Sequence, residues 1–325
     1  MIVTTDPDDT LAIIQERELN MSDRTRIDYA DASINPLGWG CWGHGGSPEK
    51  PRRCSFCFAF RMAKRNLRDC PQCRAFVPHW HPEELDKLVR WQKPRRIFVE
   101  SMGDLFGEGV LFRAVHEVWL AMMAAKHHTY LLLTKSPGRL RLWTEATAAN
   151  KCWPIEDIWP DWFWLGTSIT TQADADERIP WLLKTPAAHR WISIEPIMGP
   201  LNLGYLHWLE LPQLVHGDWP FGHSIKAEAG IHPAYLNRHG AVSACLVKSD
   251  AMLGIKPHEM TWRRRPDWIV IGQETGNRKG KVTPKREWIE AIVEQCKAAG
   301  VPVYLKANLA SIWGEPLIHE TPATP

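Results

Sequence analysis

The chain has 325 residues, 44% of them hydrophobic, with 39 Lys and Arg against 37 Asp and Glu and a formal net charge of +2. That length accommodates one large α/β domain or two ordinary ones, and the apolar share is enough for a true core. Balanced charge excludes a whole-chain basic field, so any nucleic-acid contact must come from local patches. No apolar run is long enough to span a bilayer, and residues 1–28 read as a polar leader without an apolar export core, which points to a cytoplasmic protein.

In chain order, Pro7 to Leu19 reads as a short helix within the leader, and Arg26 to Ser33 as a first strand. Gly43 to Arg53 is rich in Gly, Pro, Ser, Lys and Arg and reads as a loop. Cys57 to Leu67 follows as a helix with a basic face of Arg61, Lys64, Arg65 and Arg68. A strand–helix rhythm then begins. Strands are expected at Arg96–Ser101, Thr129–Thr134, Trp162–Ile169, Arg190–Glu195, Trp268–Gly272 and Val301–Lys306. Helices are expected at Val110–Lys126, Pro137–Ala149, Gln172–Lys184 and Pro284–Ala299. Short apolar runs alternating with amphipathic helices predict an α/β fold, a partial (β/α) TIM-type barrel of about six or seven parallel strands. Residues 202–265 have no clear period and read as an inserted lid or substrate-binding subdomain. They divide a first part of the barrel (29–201) from its last units (266–310), with a tail at 311–325.

In such barrels the chemistry sits at the carboxyl ends of the strands. Here those ends carry Glu100, Ser101 and Asp104, then Thr134 and Lys135, Thr167 and Ser168, Ser193 and Glu195, Gln273 and Glu274, and Lys306 and Asn308. A single polar strand end is ordinary; a polar residue at nearly every end predicts a shared functional cavity.

Five of the eight cysteines fall between Asn35 and Cys73. Clustered thiols without an export signal indicate metal binding or catalysis more often than disulfides. Cys41, Cys54 and Cys57 follow the first strand directly, and three thiolates suit an iron–sulfur cluster with one open iron, shielded by Phe56. Cys54-x2-Cys57 and Cys70-x2-Cys73 could instead form a four-thiolate zinc site, and Cys70 and Cys73 could join His79 and His81 in a Cys2His2 zinc knuckle. Spacing alone leaves all three open.

The chain resembles the phage and prophage Gp37/Gp68-type family, relatives of spore photoproduct lyase among the radical S-adenosylmethionine (SAM) enzymes. The matching segments are Asn35-Pro36 with Gly40-Cys41, Cys54-Ser-Phe-Cys57 with Arg61-Met-Ala63, and His81-Pro-Glu83. Further on come Ile97-Phe-Val99 with Ser101-Met-Gly-Asp104-Leu-Phe106, Leu133-Thr-Lys135, Asp176-Glu-Arg-Ile179, Glu195-Pro196 and Asp267-Trp-Ile-Val-Ile-Gly272. They run in order from residue 28 to 306.

The resemblance implies a [4Fe–4S] cluster on Cys41, Cys54 and Cys57, and SAM contacts from Ser101, Asp104, Lys135 and Ser168. It also implies a flavodoxin- or ferredoxin-type reductant and a phage or prophage setting in a bacterial host. The activity it suggests is a 5′-deoxyadenosyl radical abstracting hydrogen from a nucleic-acid-type substrate, a hypermodified thymidine in DNA, in an isomerase- or lyase-like modification. Glu195, Glu274 and Lys306 are then the candidate catalytic groups. Twelve residues separate Cys41 from Cys54, where the superfamily usually has three, so the extra loop must fold away from the cluster. Gln273 stands where most relatives have Gly, which makes Glu274 the better candidate for a polar contact. The rival readings are a zinc-stabilised nucleic-acid-binding module without catalysis and a metal-dependent barrel hydrolase using Asp104, Glu195 and His. The first leaves the polar strand ends unexplained. The second lacks an HxH motif after the first strand.

Overall fold

The computed structural model describes residues 25–65, 69–204 and 265–322. The expected helix at Pro7–Leu19 and nearly all of the expected insertion lie outside these residues, as do Leu67 and Arg68 of the basic helix.

Seven parallel strands form one sheet in sequential order: β1 (Ala32–Ile34), β2 (Arg96–Val99), β3 (Thr129–Thr134), β4 (Phe163–Ile169), β5 (His189–Ile194), β6 (Trp268–Ile271) and β7 (Val303–Leu305). Every neighbouring pair is parallel. The sheet curves into a half-barrel, as the rhythm of apolar runs predicts. Among the described residues eight helices accompany it. Of these, α1 (Phe58–Ala63) and α2 (Pro71–Ala75) pack together in a small cluster of their own with Met102. The others, α3 (Glu83–Arg90), α4 (Phe112–Ala124), α5 (Pro137–Lys151), α6 (Gln172–Lys184), α7 (Arg286–Ala299) and α8 (Ala310–Trp313), join the outer core. No helix among the described residues is long and apolar enough to cross a membrane.

Each strand is read twice, because successive side chains point to opposite faces. The outward set (Ile97, Val99, Leu132, Leu165, Ile192, Ile194, Ile269, Ile271, Val303 and Leu305 among them) joins the helices in one continuous apolar core. The inward set forms a second core of a different kind, with Phe98, Leu131, Trp164, Trp191, Trp268, Val270 and Tyr304 gathered around Tyr29. Four aromatic rings lie around Tyr29 at centroid distances of 5.3–6.5 Å. Two of these rings, with Trp164 beside them, account for three of the 18 tryptophans, and the cluster floors the concave face toward the amino ends of the strands.

Above that floor the inward positions become small: Ser33 on β1, Gly166 and Ser168 on β4, Ser193 on β5 and Gly272 after β6. A Cβ at Gly166 would come within 2.5 Å of the Trp191 indole nitrogen, so glycine is what lets Trp191 lie across β4. The layer above is charged.

Three features depart from the sequence expectations. The first strand is shorter than expected and begins at Ala32. Two helices, α2 and α3, occupy the stretch between Cys70 and Arg96, where none is expected; α3 is the helix that crosses from β1 to β2. The segment expected as a tail covers the edge of β7: Leu305 N–H donates to Ile318 O at 2.7 Å and Glu320 N–H to Val303 O at 2.9 Å. An exposed edge strand would otherwise offer its unpaired backbone to other chains.

Candidate functional site at the strand carboxyl ends

Cys41, Cys54 and Cys57 are free thiols, partly exposed and carried on the segment that leaves β1. Each sulfur meets a donor. Gly43 N–H donates to Cys41 Sγ at 3.1 Å, Phe60 N–H to Cys57 Sγ at 3.4 Å, and Lys135 Nζ to Cys54 Sγ at 3.4 Å. Cys57 is the N-cap of α1, so its sulfur sits where the first backbone N–H groups of a helix point. Burial pushes the Cys41 thiol up to about 12, with the nearby Asp104 adding to the rise, and burial raises Cys57 as well. Donors aimed at sulfur favour thiolate, whereas burial disfavours it unless a cation is present.

The loop between Cys41 and Cys54 folds back on itself. Arg52 N–H donates to Trp42 O at 2.7 Å, and at Gly43 (φ +81°) a Cβ would meet Arg52 O at 1.9 Å. The loop is tethered from the far side by His44, whose Nε2 lies 2.9 Å from Glu177 of α6. No sequence motif marks that contact.

Lys135 reaches this site from the end of β3, with its ammonium 5.3 Å from the centre of the Phe56 ring. Asp104 lies beside it, but its carboxylate accepts three internal hydrogen bonds. These come from Thr134 Oγ1 at 2.6 Å, Lys135 N–H at 2.9 Å and Phe106 N–H at 3.1 Å. Asp104 therefore fixes the end of β3 and presents Lys135; burial raises its carboxyl above the ordinary value. Ser101 Oγ is 2.7 Å from Ser33 Oγ, inside the small-residue layer. Ser168 is buried in the same layer, and its carbonyl accepts from Arg178 at 2.7 Å.

On the other side of the concave face, Lys306 Nζ bridges both oxygens of Glu195 at 3.0 and 2.9 Å, and Asn308 adds a third contact at 3.3 Å. Gly272 lies against this pair, with a Cβ position 2.9 Å from Glu195 Oε1. Gln273 and Asn308 hold one another through their backbone and amide groups. Glu274 is placed differently from a cavity-facing acid. Its buried carboxylate takes two hydrogen bonds from Arg278, at 2.8 and 2.9 Å, and faces Arg61 of α1 at 3.5 Å. Arg61 also donates to Thr275 O at 2.8 Å. The Arg278 hydrogen bonds hold the Glu274 carboxyl below its ordinary value. Glu274 ties the helix that follows Cys57 to the loop that follows β6, across the open side of the half-barrel.

Cys70, Cys73, His79 and His81 form a second sulfur site. Their ligand atoms all lie within 4.8 Å of one another, the only group of three or more such ligands among the described residues. This Cys2His2 set could hold a metal ion such as zinc. The four-thiolate alternative is not what the fold assembles, because Cys70 and Cys73 meet the two histidines and not Cys54 and Cys57.

A family model described as "protein of unknown function (DUF5131)" matches residues 24–317. The chain belongs to the DUF5131 family. No curated protein and no solved structure matches it. The DUF5131 match takes in every strand of the half-barrel and both sulfur sites, so these features lie within the family's common region.

Proposed function

We propose that this protein is a radical SAM enzyme whose Cys41, Cys54 and Cys57 hold a [4Fe–4S] cluster at the mouth of the half-barrel. The observation that carries the reading is the company the three thiols keep. They sit with a lysine at the strand ends, above a layer of Ser and Gly that contributes little bulk to the inner face, over a closed aromatic floor. The close-set ligand group among the described residues takes in Cys70 and Cys73 but none of these three sulfurs. A polynuclear cluster takes each thiolate on a different iron, whereas a single ion gathers its ligands tightly.

When bound, the cluster and SAM would supply a 5′-deoxyadenosyl radical able to abstract hydrogen from a substrate. The chain's own groups have definable tasks. Lys135 offers an ammonium to the methionyl carboxylate and is held in place by Asp104 through the backbone. Ser101 and Ser168 offer hydroxyls from the small layer. The Glu195–Lys306 pair faces the same space and can orient a polar substrate. The aromatic floor excludes water from below.

For the substrate we propose a nucleic-acid-type molecule, a modified thymidine in phage DNA. Of the basic stretches Arg61 to Arg68, Lys93 to Arg96, Arg263 to Arg265 and Arg278 to Lys285, the first and last follow strand carboxyl ends. Their Lys64, Arg65, Lys279 and Lys281 suit phosphates, Arg61 and Arg278 being taken up by Glu274. Lys93 to Arg96 leads into the amino end of β2 and faces the other way. The hydrolase alternative gains no support, because no histidine joins Asp104 or Glu195 in a ligand group among the described residues.

Anaerobic purification with iron and sulfide counts, then reduction with dithionite, flavodoxin or ferredoxin in the presence of SAM, tests the reading. About four irons per chain with 5′-deoxyadenosine formation is the expected result. Protein that takes up no iron after reconstitution would overturn it.

A further inference from the structure

We propose that Cys70, Cys73, His79 and His81 hold one structural Zn2+ whose task is to fix the backbone that carries Cys41. The site does not depend on the radical reading, because its four ligands and the Val77 carbonyl and Glu83 carboxylate that brace them are complete without the three mouth thiols.

Three of the six ligand–ligand distances match a tetrahedral ion, and all four ligand atoms lie within 4.8 Å of one another. Zinc bonds of about 2.3 Å to sulfur and about 2.0–2.1 Å to nitrogen put neighbouring ligand atoms about 3.5 Å apart in a tetrahedron. Here Cys70 Sγ and His79 Nε2 are 3.1 Å apart, Cys73 Sγ and His79 Nε2 3.7 Å, and Cys73 Sγ and His81 Nε2 3.5 Å. Both imidazoles are oriented from behind. His79 Nδ1 lies 2.7 Å from Val77 O, and His81 Nδ1 bonds the Glu83 carboxylate. A carbonyl and a carboxylate on Nδ1 leave both Nε2 lone pairs facing the sulfurs, the arrangement metal-bound histidines use.

The knuckle is bonded to the 36–41 segment along its length. His81 N–H donates to Pro36 O at 2.7 Å and His79 N–H to Leu37 O at 3.0 Å, while Trp39 N–H donates to Cys73 Sγ at 3.4 Å. The contact leaves no room for side chains. A Cβ on Gly38 (φ +67°) would stand 2.5 Å from the His79 ring, and one on Gly40 would stand 2.3 Å from the Pro78 nitrogen. Cys41 is the next residue. A four-ligand site with no open position is structural, and here what it holds rigid is the approach to a mouth thiol.

The test uses the full chain, purified without chelator and free of iron. About one zinc per chain is expected, lost in both Cys70→Ser and His79→Ala. Co2+ exchanged into the wild-type protein should give the intense visible bands of tetrahedral sulfur–nitrogen coordination, which both variants lose. Alkylation of Cys41 by iodoacetamide, followed by peptide mass spectrometry, should be at least tenfold faster in zinc-stripped wild type and in His79→Ala. Glu83→Gln leaves all four ligands in place. It should keep zinc with about 10–100-fold weaker affinity against a competing chelator, and Cys41 should return to slow alkylation at saturating Zn2+. Wild-type protein without zinc, or zinc retained by both ligand variants, would overturn the site. Zinc lost with no change in Cys41 reactivity would overturn its positioning role. None of these readouts needs iron or SAM, so they survive a failure of the radical assignment.

Discussion

The two sulfur sites lie on one short stretch of chain yet are built on opposite plans. At the knuckle, four ligands close on one point, both histidines are braced from behind, and glycine backbone lies against the rings. At the mouth, three thiols spread around a lysine, each with one donor, beside Ser and Gly positions that leave space. A completed coordination shell stabilises; an incomplete one next to open room can take a ligand. On the readings proposed above, the chain separates the holding of structure from the holding of chemistry.

The sharpest way to break that comparison is to delete one mouth thiol. Cys57→Ala should abolish iron–sulfur absorbance and 5′-deoxyadenosine formation while leaving zinc at its wild-type level. Iron that survives this change would show that the ligands are wrongly drawn.

Next in size, Lys135→Met should weaken SAM binding to the reconstituted enzyme by about 10–100-fold, the worth of a charge-assisted contact, with little change in melting temperature. Isothermal titration checks it, and unchanged affinity would remove Lys135 from the site.

Glu274→Gln should cost about 1–2 kcal/mol, the low end for breaking a buried ion pair because the arginines are partly exposed. The sign with pH follows from its lowered pKa. The wild-type carboxylate contributes fully above the unfolded value, and that contribution fades as pH falls through the lower folded value. Denaturant titrations at neutral and acid pH should therefore show the gap between wild type and variant shrinking in acid. A constant gap would assign the loss to packing.

The smallest effect is expected for Gly272→Ala. A Cβ there crowds Glu195 and Lys306, costing about 1 kcal/mol or less by displacing a flexible lysine, with a measurable drop in SAM affinity from the filled space. Affinity equal to wild type would mean that the small layer is not the cofactor's bed.

Much of this was legible in the sequence because the outward strand residues form unbroken apolar runs and the intervening helices carry amphipathic spacing. The expected bounds of β3 and α6 match the observed ones, Thr129–Thr134 and Gln172–Lys184. Helix α3 escaped notice although it carries its own signals: Glu83, Glu84 and Asp86 in the first turn, and Lys87 and Arg90 in the last.

Asp104 and Glu274 show a harder limit. A carboxylate at a strand end reads as facing the cavity, yet the donors that occupy these two come from Thr134 and from Arg278 and Arg61, and only the folded chain brings Arg61 there. The choice between two zinc arrangements was open for the same reason. Gly38 lies against the two histidines and Gly40 against the Val77–Pro78 backbone, a close approach that ligand spacing does not encode.

One consequence of the Arg61–Glu274 clamp concerns the order of assembly. Neighbouring strands are also consecutive in the chain, so during synthesis each β/α unit can dock on its predecessor as it emerges, and most of the sheet needs only contacts of modest sequence separation. The clamp is different: it joins residues 213 positions apart. A nascent chain therefore carries its three mouth thiols through the making of five strands before the residue that ties their helix across the opening has been translated. Until then the clamp cannot form, and the proposed cluster, if inserted during synthesis, would enter before the clamp closes.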